Sequence, residues 1–371
     1  MSGVRLMKGN EALAEAAIRA GCRGYFGYPI TPQSEILEYL ADEGRKRGMV
    51  VMQVESEVAA INMVYGAAGA GERVMTSSSS PGISLMQEGL SYIASAELPC
   101  LVVNVNRGGP GLGTIQPSQG DYFQATKGGG HGDYRLIVLA PASVQEMADF
   151  VFDGFTLADK YRNPVMILAD GALGQMMEKV EFRDSGPVGA SPSPKEWATT
   201  GKPRERKRNI ITSLFIQPDK MEEVNRRLQA KYRRMEEEET RAELVMTEDA
   251  RIVVVAYGLA ARISHRAVEL ARRRGVAAGL VRPITLFPFP SRLLDGLSAR
   301  SKGMLVVEMN SGQMVEDVRL ATGGRIPVGF YGRMGGIIPS PEEVAEQIEI
   351  FAEHLSADEQ VEITSEVTGH E

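Results

Sequence analysis

Through the first 183 residues, short apolar runs alternate with stretches whose apolar positions recur every three or four residues. Residues 24–26, 49–55 ("MVVMQVE"), 73–76, 101–105 within "PCLVVNVNR", and "PVMILAD" read as strands. Helices are expected for an alanine-rich stretch capped by Asn10 and running to residue 20, and for residues 32–44, with Ile36, Leu37 and Leu40 on one face. "SEVAAINMVYGAAGAG", "GISLMQEGLSYIASAE" and "SVQEMADFVFDGFTLADKY" read the same way. The strands are apolar throughout and separated by helices, which predicts an α/β fold with a doubly wound parallel sheet buried on both faces. "SEVAAINMVYGAAGAG" is apolar nearly all round and is expected to be buried.

The pattern breaks between residues 184 and 248. "SGPVGASPSPKEWATTGKPRERKRN" reads as linker, and "PDKMEEVNRRLQAKYRRMEEEETRAE" as a charged helix. Its narrow stripe of Met221, Val224, Leu228, Tyr232 and Met235 suits either a solvated helix on the domain surface or an arm gripping a partner subunit. A second, smaller α/β unit follows, with strands in "RIVVVAYG", "VAAGLVRP", "GMLVVEMN" and "IPVGFYG". The expected organisation is therefore 1–183, a linker with a charged helix at 184–248, a compact domain at 249–355, and a polar tail at 356–371 that frays.

Composition narrows the functions. Of 371 residues, 43% are hydrophobic and 24% charged, with a net charge of -7, so nothing favours nucleic acid or an anionic membrane. No apolar run reaches the roughly 18 residues of a membrane span, and "MSGVRLMKGNEALAEAAIRAG" is no signal peptide; the chain is expected to be cytoplasmic. Cys22 and Cys100 lie far apart in apolar surroundings without a C-x-x-C, so neither zinc nor an iron–sulfur cluster can be built from this chain alone, and both are expected to be buried thiols.

Ligands of open α/β sheets bind beyond the carboxyl ends of the strands. In "YFGYPITPQSE", Gly27, Pro29 and Pro32 stop both elements, and Thr31 sits where a helix N-cap hydroxyl is expected. That end offers either a satisfied cap or an anion site. The next loops carry Glu55 and Glu57, the serine run 77–80 before Pro81-Gly82, and Asn106-Arg107 before "GGPGLG". Glu57 in a first helical turn is favoured by the helix dipole. In so apolar a helix, however, a carboxylate needs a partner, and a heterocyclic nitrogen sharing a proton would serve. Arg107 suits a buried ion pair or a fork for a substrate carboxylate. The glycine run 108–113 only superficially matches a dinucleotide fingerprint, because Pro110 intrudes and no helix opens after it; a nicotinamide-binding reading rests on little else. The run 66–71 reads as a close-packed helix end, and His131 as a surface-loop residue.

Together, "GYPITP", "ESE", "TSSSSPG" and "NRGGPGLG" resemble the α subunits of 2-oxoacid:ferredoxin oxidoreductases, above all the 3-methyl-2-oxobutanoate (2-oxoisovalerate) type and next the 2-oxoglutarate type. "WATTG", "RNIITSLFI", "LVRPITLFPFP", "VVEMNSGQMVEDVRLA" and "FYGRMGG" extend the resemblance over nearly the whole chain. It implies a pyrimidine-binding domain of thiamine diphosphate enzymes in the first half and a transketolase C-terminal-like domain in the second. By resemblance, Glu57 bonds the cofactor's aminopyrimidine, favouring the imino tautomer that generates the ylid. Tyr28 and Ile30 touch the cofactor, and Thr31 and Arg107 hold the 2-oxoacid carboxylate. The implied reaction is oxidative decarboxylation of a branched-chain 2-oxoacid to acyl-CoA and CO2 with reduction of ferredoxin. The 2-oxoglutarate or pyruvate versions are alternatives, as is a non-catalytic structural partner with a vestigial half-site, against which a buried Glu57 argues. "ADGALG" (169–174) starts like the diphosphate- and Mg2+-binding G-D-G stretch but lacks the asparagine that follows in that motif. The resemblance thus leaves this chain the pyrimidine end alone. It assigns the diphosphate and Mg2+ to a β subunit, and places [4Fe-4S] clusters in partners that include a γ subunit and a ferredoxin-like subunit.

Overall fold

The computed structural model describes residues 3–183, 195–202 and 206–367, with side chains to 357. Parts of the expected linker (184–194 and 203–205) and the end of the expected tail (368–371) lie outside the described residues. The first part runs β1 (Arg5–Lys8), α1 (Gly9–Arg19), β2 (Gly24–Gly27), α2 (Ser34–Tyr39) with a π-helical turn over Leu40–Gly44, β3 (Val50–Gln53), α3 (Glu57–Gly69), β4 (Val74–Ser78), α4 (Ser80–Ser95) and β5 (Cys100–Asn106). It continues through α5 (Tyr122–Thr126), β6 (Ile137–Leu139), α6 (Val144–Tyr161), β7 (Pro164–Asp170), α7 (Gly171–Gln175) and β8 (Met177–Val180). After α8 (Pro218–Glu238) come β9 (Ala242–Val245), β10 (Ile252–Val255), α9 (Gly258–Arg273), β11 (Ala278–Pro283), β12 (Thr285–Phe287), α10 (Ser291–Ser298), β13 (Gly303–Glu308), α11 (Met314–Thr322), β14 (Val328–Gly332) and α12 (Pro341–Val367).

The fold is the expected doubly wound α/β arrangement. A seven-stranded sheet has the order β12-β6-β7-β5-β4-β2-β3, and a five-stranded sheet the order β14-β13-β10-β11-β9. Both are parallel except at one edge strand each, β12 and β9. β5 and β7, apolar-leaning and buried at every position, form the centre of the larger sheet. The chain moves from β2 to β3 on one side and then crosses to β4 on the other. That reversal opens a crevice at the carboxyl ends of β2 and β4, where ligands of such sheets bind.

The two sheets are interlocked. β12, from the second half, completes the first sheet by pairing with β6, while β9, from the span expected to be linker, edges the second. A single apolar core joins α3 and α4 to β10, β11 and β13. Val224, Leu228, Tyr232 and Met235 of α8 are buried in the core on the opposite face of the first sheet, with Met221 packed beside them, so this stripe grips its own chain rather than reaching out as an arm.

Several local expectations are corrected. Asn10 lies inside the first turn of α1 rather than capping it, because its Nδ2 donates to Pro32 O (2.8 Å) and Glu35 Oε2 (2.9 Å). The helix expected from residue 32 begins at Ser34, because residues 30–33 form a turn closed by Gln33 N to Ile30 O (3.1 Å). α3 is not buried all round: Val58 is 45% and Met63 37% exposed, an apolar face left bare in the isolated chain. α12 does not stop at residue 355 but continues to Val367, into the span expected as tail. No helix among the described residues is long and apolar enough to cross a membrane.

Candidate active site

The loop after β2 is shaped from beneath. A Cβ on Gly27 would lie 2.3 Å from Tyr25 Oη, so only glycine lets the tyrosine ring fold back under the loop. Tyr25 Oη donates to Ser77 Oγ (2.8 Å), which donates onward to Gln33 Oε1 (2.6 Å). Burial pushes the Tyr25 phenol well up, which suits a permanent donor. Held this way, the loop leaves Tyr28 and Thr31 exposed and Ile30 half-buried. Thr31 is not the helix cap expected of it: Gln33 precedes Ser34, and α2, six residues long, offers Thr31 no positive end.

The serines expected as a loop belong to regular structure. Ser77 and Ser78 end β4, and Ser80 opens α4. Ser80 Oγ accepts from Arg107 N (3.0 Å), tying α4 to the end of β5. The Arg107 guanidinium donates from Nη1 to Thr31 O (3.0 Å) and from Nη2 to Leu112 O (2.9 Å), which brings Thr31 and Arg107 together. Among the described residues Arg107 has no carboxylate partner, so the buried ion pair does not form, and its buried Nε donates to nothing. The glycine run after it folds back on itself through Gly108 N to Gln116 O (2.9 Å) and opens no helix, unlike a dinucleotide-binding loop.

Glu57 is the first residue of α3, and Ser56 Oγ caps that helix by accepting from Ala59 N (3.2 Å). The Glu57 side chain is turned inward, 5% exposed, and no donor or cation among the described residues pairs with it. It lies over Gly82, where a Cβ would fall 2.4 Å from Glu57 Oε1 and 2.0 Å from Ser78 Oγ. Ser78 Oγ beside it, and Ser79 Oγ, Asn106 Nδ2 and Gln33 Nε2 elsewhere along the same sheet edge, are buried without partners. Buried polar atoms are nearly always satisfied; so many orphans at one sheet edge, beside a glycine-made hollow, fit a polar heterocycle docking there from outside the chain. Ser77, Ser78, Gln33 and Gly82 went unassigned in the sequence. Hydroxyls at the end of an otherwise apolar strand were the available signal for the serines; Gln33 carried none.

Other candidates are accounted for. Asp170 of "ADGALG" caps α7, accepting from Ala172 N (2.9 Å) and Leu173 N (3.1 Å), and burial pushes its carboxyl up to about 6. Cys22 and Cys100 are free and buried, their thiols pushed up to about 12 by desolvation. His131 is exposed, edge-on to Tyr92. Among the described residues no three His, Cys, Asp or Glu side chains are grouped to hold a metal.

Residues 15–246 match the family described as pyruvate flavodoxin/ferredoxin oxidoreductase, thiamine diphosphate-binding, and residues 250–344 match pyruvate:ferredoxin oxidoreductase core domain II. The chain is 53% identical over 344 residues to ketoisovalerate oxidoreductase subunit VorB of Methanothermobacter thermautotrophicus, covering 93% of this chain and 97% of that protein. It is 38% identical over 366 residues to 2-oxoglutarate synthase subunit KorA of the same organism, covering 92% and 97%. Among solved structures, 2-oxoglutarate:ferredoxin oxidoreductase from Magnetococcus marinus, with 2-oxoglutarate, coenzyme A and succinyl-CoA bound, superposes with a TM-score of 0.82 at 29% identity over 94% of this chain. This chain spans 65% of that chain's length. A split-gene transketolase, an inactive β4 tetramer, shares the fold at a TM-score of 0.58 and 14% identity over 94% of this chain and 98% of that one.

Proposed function

Because the chain belongs to the thiamine-diphosphate-binding pyruvate flavodoxin/ferredoxin oxidoreductase family, we propose that it is the subunit supplying the pyrimidine half of the active site in an enzyme that oxidatively decarboxylates ketoisovalerate (3-methyl-2-oxobutanoate). Coenzyme A takes the acyl group and ferredoxin the electrons. The observation that carries this reading is Glu57, a buried carboxylate without a partner above the Gly82 hollow.

Each residue then has a task. Bound thiamine diphosphate supplies the electron sink that decarboxylation of a 2-oxoacid requires. Glu57 meets the ring nitrogen of the pyrimidine and shares a proton with it, which answers its missing partner. Tyr28 and Ile30 wall the ring from the loop after β2. The Thr31 hydroxyl and the free Arg107 Nε receive the substrate carboxylate. Segments 28–34, 55–57, 77–82 and 107–120 contain one cation, Arg107. One cation suits a monocarboxylate such as ketoisovalerate better than the dicarboxylate 2-oxoglutarate, in agreement with 53% against 38% identity to the respective relatives.

The remaining machinery belongs to partner chains. Asp170 is spent on its own helix, so the diphosphate and Mg2+ are held by a β subunit. Two buried thiols supply no cluster ligands, so [4Fe-4S] clusters sit in the γ and ferredoxin-like subunits. Substrate profiling of the reconstituted complex, with a viologen as electron acceptor, tests the assignment. Branched 2-oxoacids should outrun 2-oxoglutarate and pyruvate in kcat/KM, and the reverse order would overturn it. Full turnover by a Glu57→Ala complex would mean a vestigial half-site.

A further inference from the structure

The serine run sends its hydroxyls to different loops. Ser77 Oγ fixes the loop after β2 through Gln33, and Ser80 Oγ fixes the loop after β5 through Arg107 N. Ser78 points to the opposite face of β4, as strand alternation requires. It is completely buried, and its Oγ has no partner. A hydroxyl buried with nothing to bond costs stability. What it faces is Glu57: Ser78 Oγ and Glu57 Oε1 converge on the bare Cα of Gly82, 2.0 and 2.4 Å from where a Cβ would lie.

The surroundings offer Glu57 nothing stronger. α4, β2 and β4 pack against α3, and none of them carries a lysine or arginine. Their titratable side chains are Glu88 and Tyr92, which bond each other on the exposed face of α4, and Tyr25, which is bonded to Ser77. α3 itself adds Tyr65. Hydroxyls and the N-terminus of α3 are therefore what can orient the carboxylate.

We propose that Ser78 is a positioning residue for Glu57: its hydroxyl, free to rotate, donates to one carboxylate oxygen and leaves the other aimed at the pyrimidine ring, while Gly82 keeps the space between them clear. This deepens the reading of Glu57 given above and rests on it. The test compares Ser78→Ala, Ser78→Cys and Gly82→Ala with Glu57→Gln in the reconstituted complex. Steady-state kinetics, Tm and deuterium exchange at the thiazolium carbon of bound thiamine diphosphate without substrate are measured.

Ser78→Ala should leave Tm unchanged or raised, lower kcat about tenfold at constant KM for the 2-oxoacid, and slow the exchange in parallel. Ser78→Cys, a weaker donor of similar shape, should fall between. Gly82→Ala should lose more, since its methyl displaces the carboxylate. Wild-type kcat and exchange in Ser78→Ala, with both abolished in Glu57→Gln, would overturn the role of Ser78 alone. A joint fall of Tm and kcat would also overturn it, making Ser78 structural. Intact turnover in Glu57→Gln would instead overturn the reading of Glu57 on which this one rests.

Discussion

Two buried glutamates stand at strand-to-helix junctions of this molecule, one at each sheet. Glu308 ends β13 and is fully buried. Its carboxylate accepts from Met314 N (2.9 Å), Val315 N (3.0 Å), Gln313 N (3.2 Å) and Asn310 Nδ2 (2.9 Å), closing the start of α11. Asn310 Nδ2 also donates to Gln119 O (2.8 Å), and Gln119 Oε1 accepts from Met309 N (2.9 Å), so this glutamate belongs to the joint that locks the two sheets together. Glu57, 5% exposed at the start of α3, has none of this. Burial alone therefore does not separate architecture from chemistry. Satisfaction does: the paired acid is complete within the chain, and the orphan is complete only when something arrives.

Mutating both acids tests the contrast most severely. Glu57→Ala should lower kcat of the reconstituted complex about a thousandfold, within the range for a lost acid–base group, while leaving Tm unchanged or higher, because an uncompensated buried carboxylate goes with it. Glu308→Ala should do the opposite. It leaves several buried N–H groups unanswered and should cost roughly 3 kcal/mol of stability or more, with activity lost only in proportion to unfolding. Thermal unfolding and turnover measured on the same two preparations check both. A stability loss in Glu57→Ala as large as in Glu308→Ala would erase the distinction.

In the sequence these two acids look alike. "SEVAA" and "VVEMNSG" each place one carboxylate beside apolar neighbours, and only coordinates show which oxygens are answered. The sheets were legible because continuous apolar runs such as "CLVVNVN" admit few other readings. What escaped was set by tertiary contacts. β12 is a short strand whose pairing with β6 crosses from one half of the chain to the other, and β9 reaches from the expected linker to the edge of the second sheet; no local period records either. α2 starts two residues later than its apolar pattern predicts because residues 30–33 close a turn first. The bare face of α3 escaped because an all-round apolar helix reads as core whether its cover lies in the same chain or in another. Gln33 needed the Tyr25–Ser77 chain beneath it to become visible.

Asp170 sharpens the comparison from the side of partial satisfaction. Two N–H donors cap it, yet desolvation still lifts its carboxyl to about 6 from an ordinary 3.8. The folded state therefore keeps a proton that the unfolded chain has released, so stability falls as pH rises from about 4 to about 6, and the whole loss is present above that window. Asp170→Asn keeps an oxygen for the cap and removes the charge. Its stability should exceed that of the wild type by roughly 3 kcal/mol at pH 7 and converge with it near pH 4. Denaturant titrations across that range measure the difference, and parallel pH profiles for the two proteins would show that the cap fully offsets the desolvation of this acid.

Arg107 is the cationic counterpart, half tied and half free. Two of its nitrogens hold the loops at Thr31 and Leu112 through carbonyl oxygens, and its buried Nε is unanswered. If the free N–H is the reason for the residue, a lysine in its place should raise KM for the 2-oxoacid about tenfold, because an ammonium cannot hold two carbonyls and still present a fixed fork to a carboxylate. kcat should change less, since Glu57 and the pyrimidine hollow are untouched. Were the two carbonyl bonds its whole purpose, the lysine variant would instead lose loop order without a selective rise in KM, and neutral substrate analogues lacking the carboxylate would bind the wild type and the variant with different affinities. Equal affinities for those analogues, together with a KM rise confined to carboxylate substrates, would place Arg107 with Glu57 among the groups completed from outside the chain.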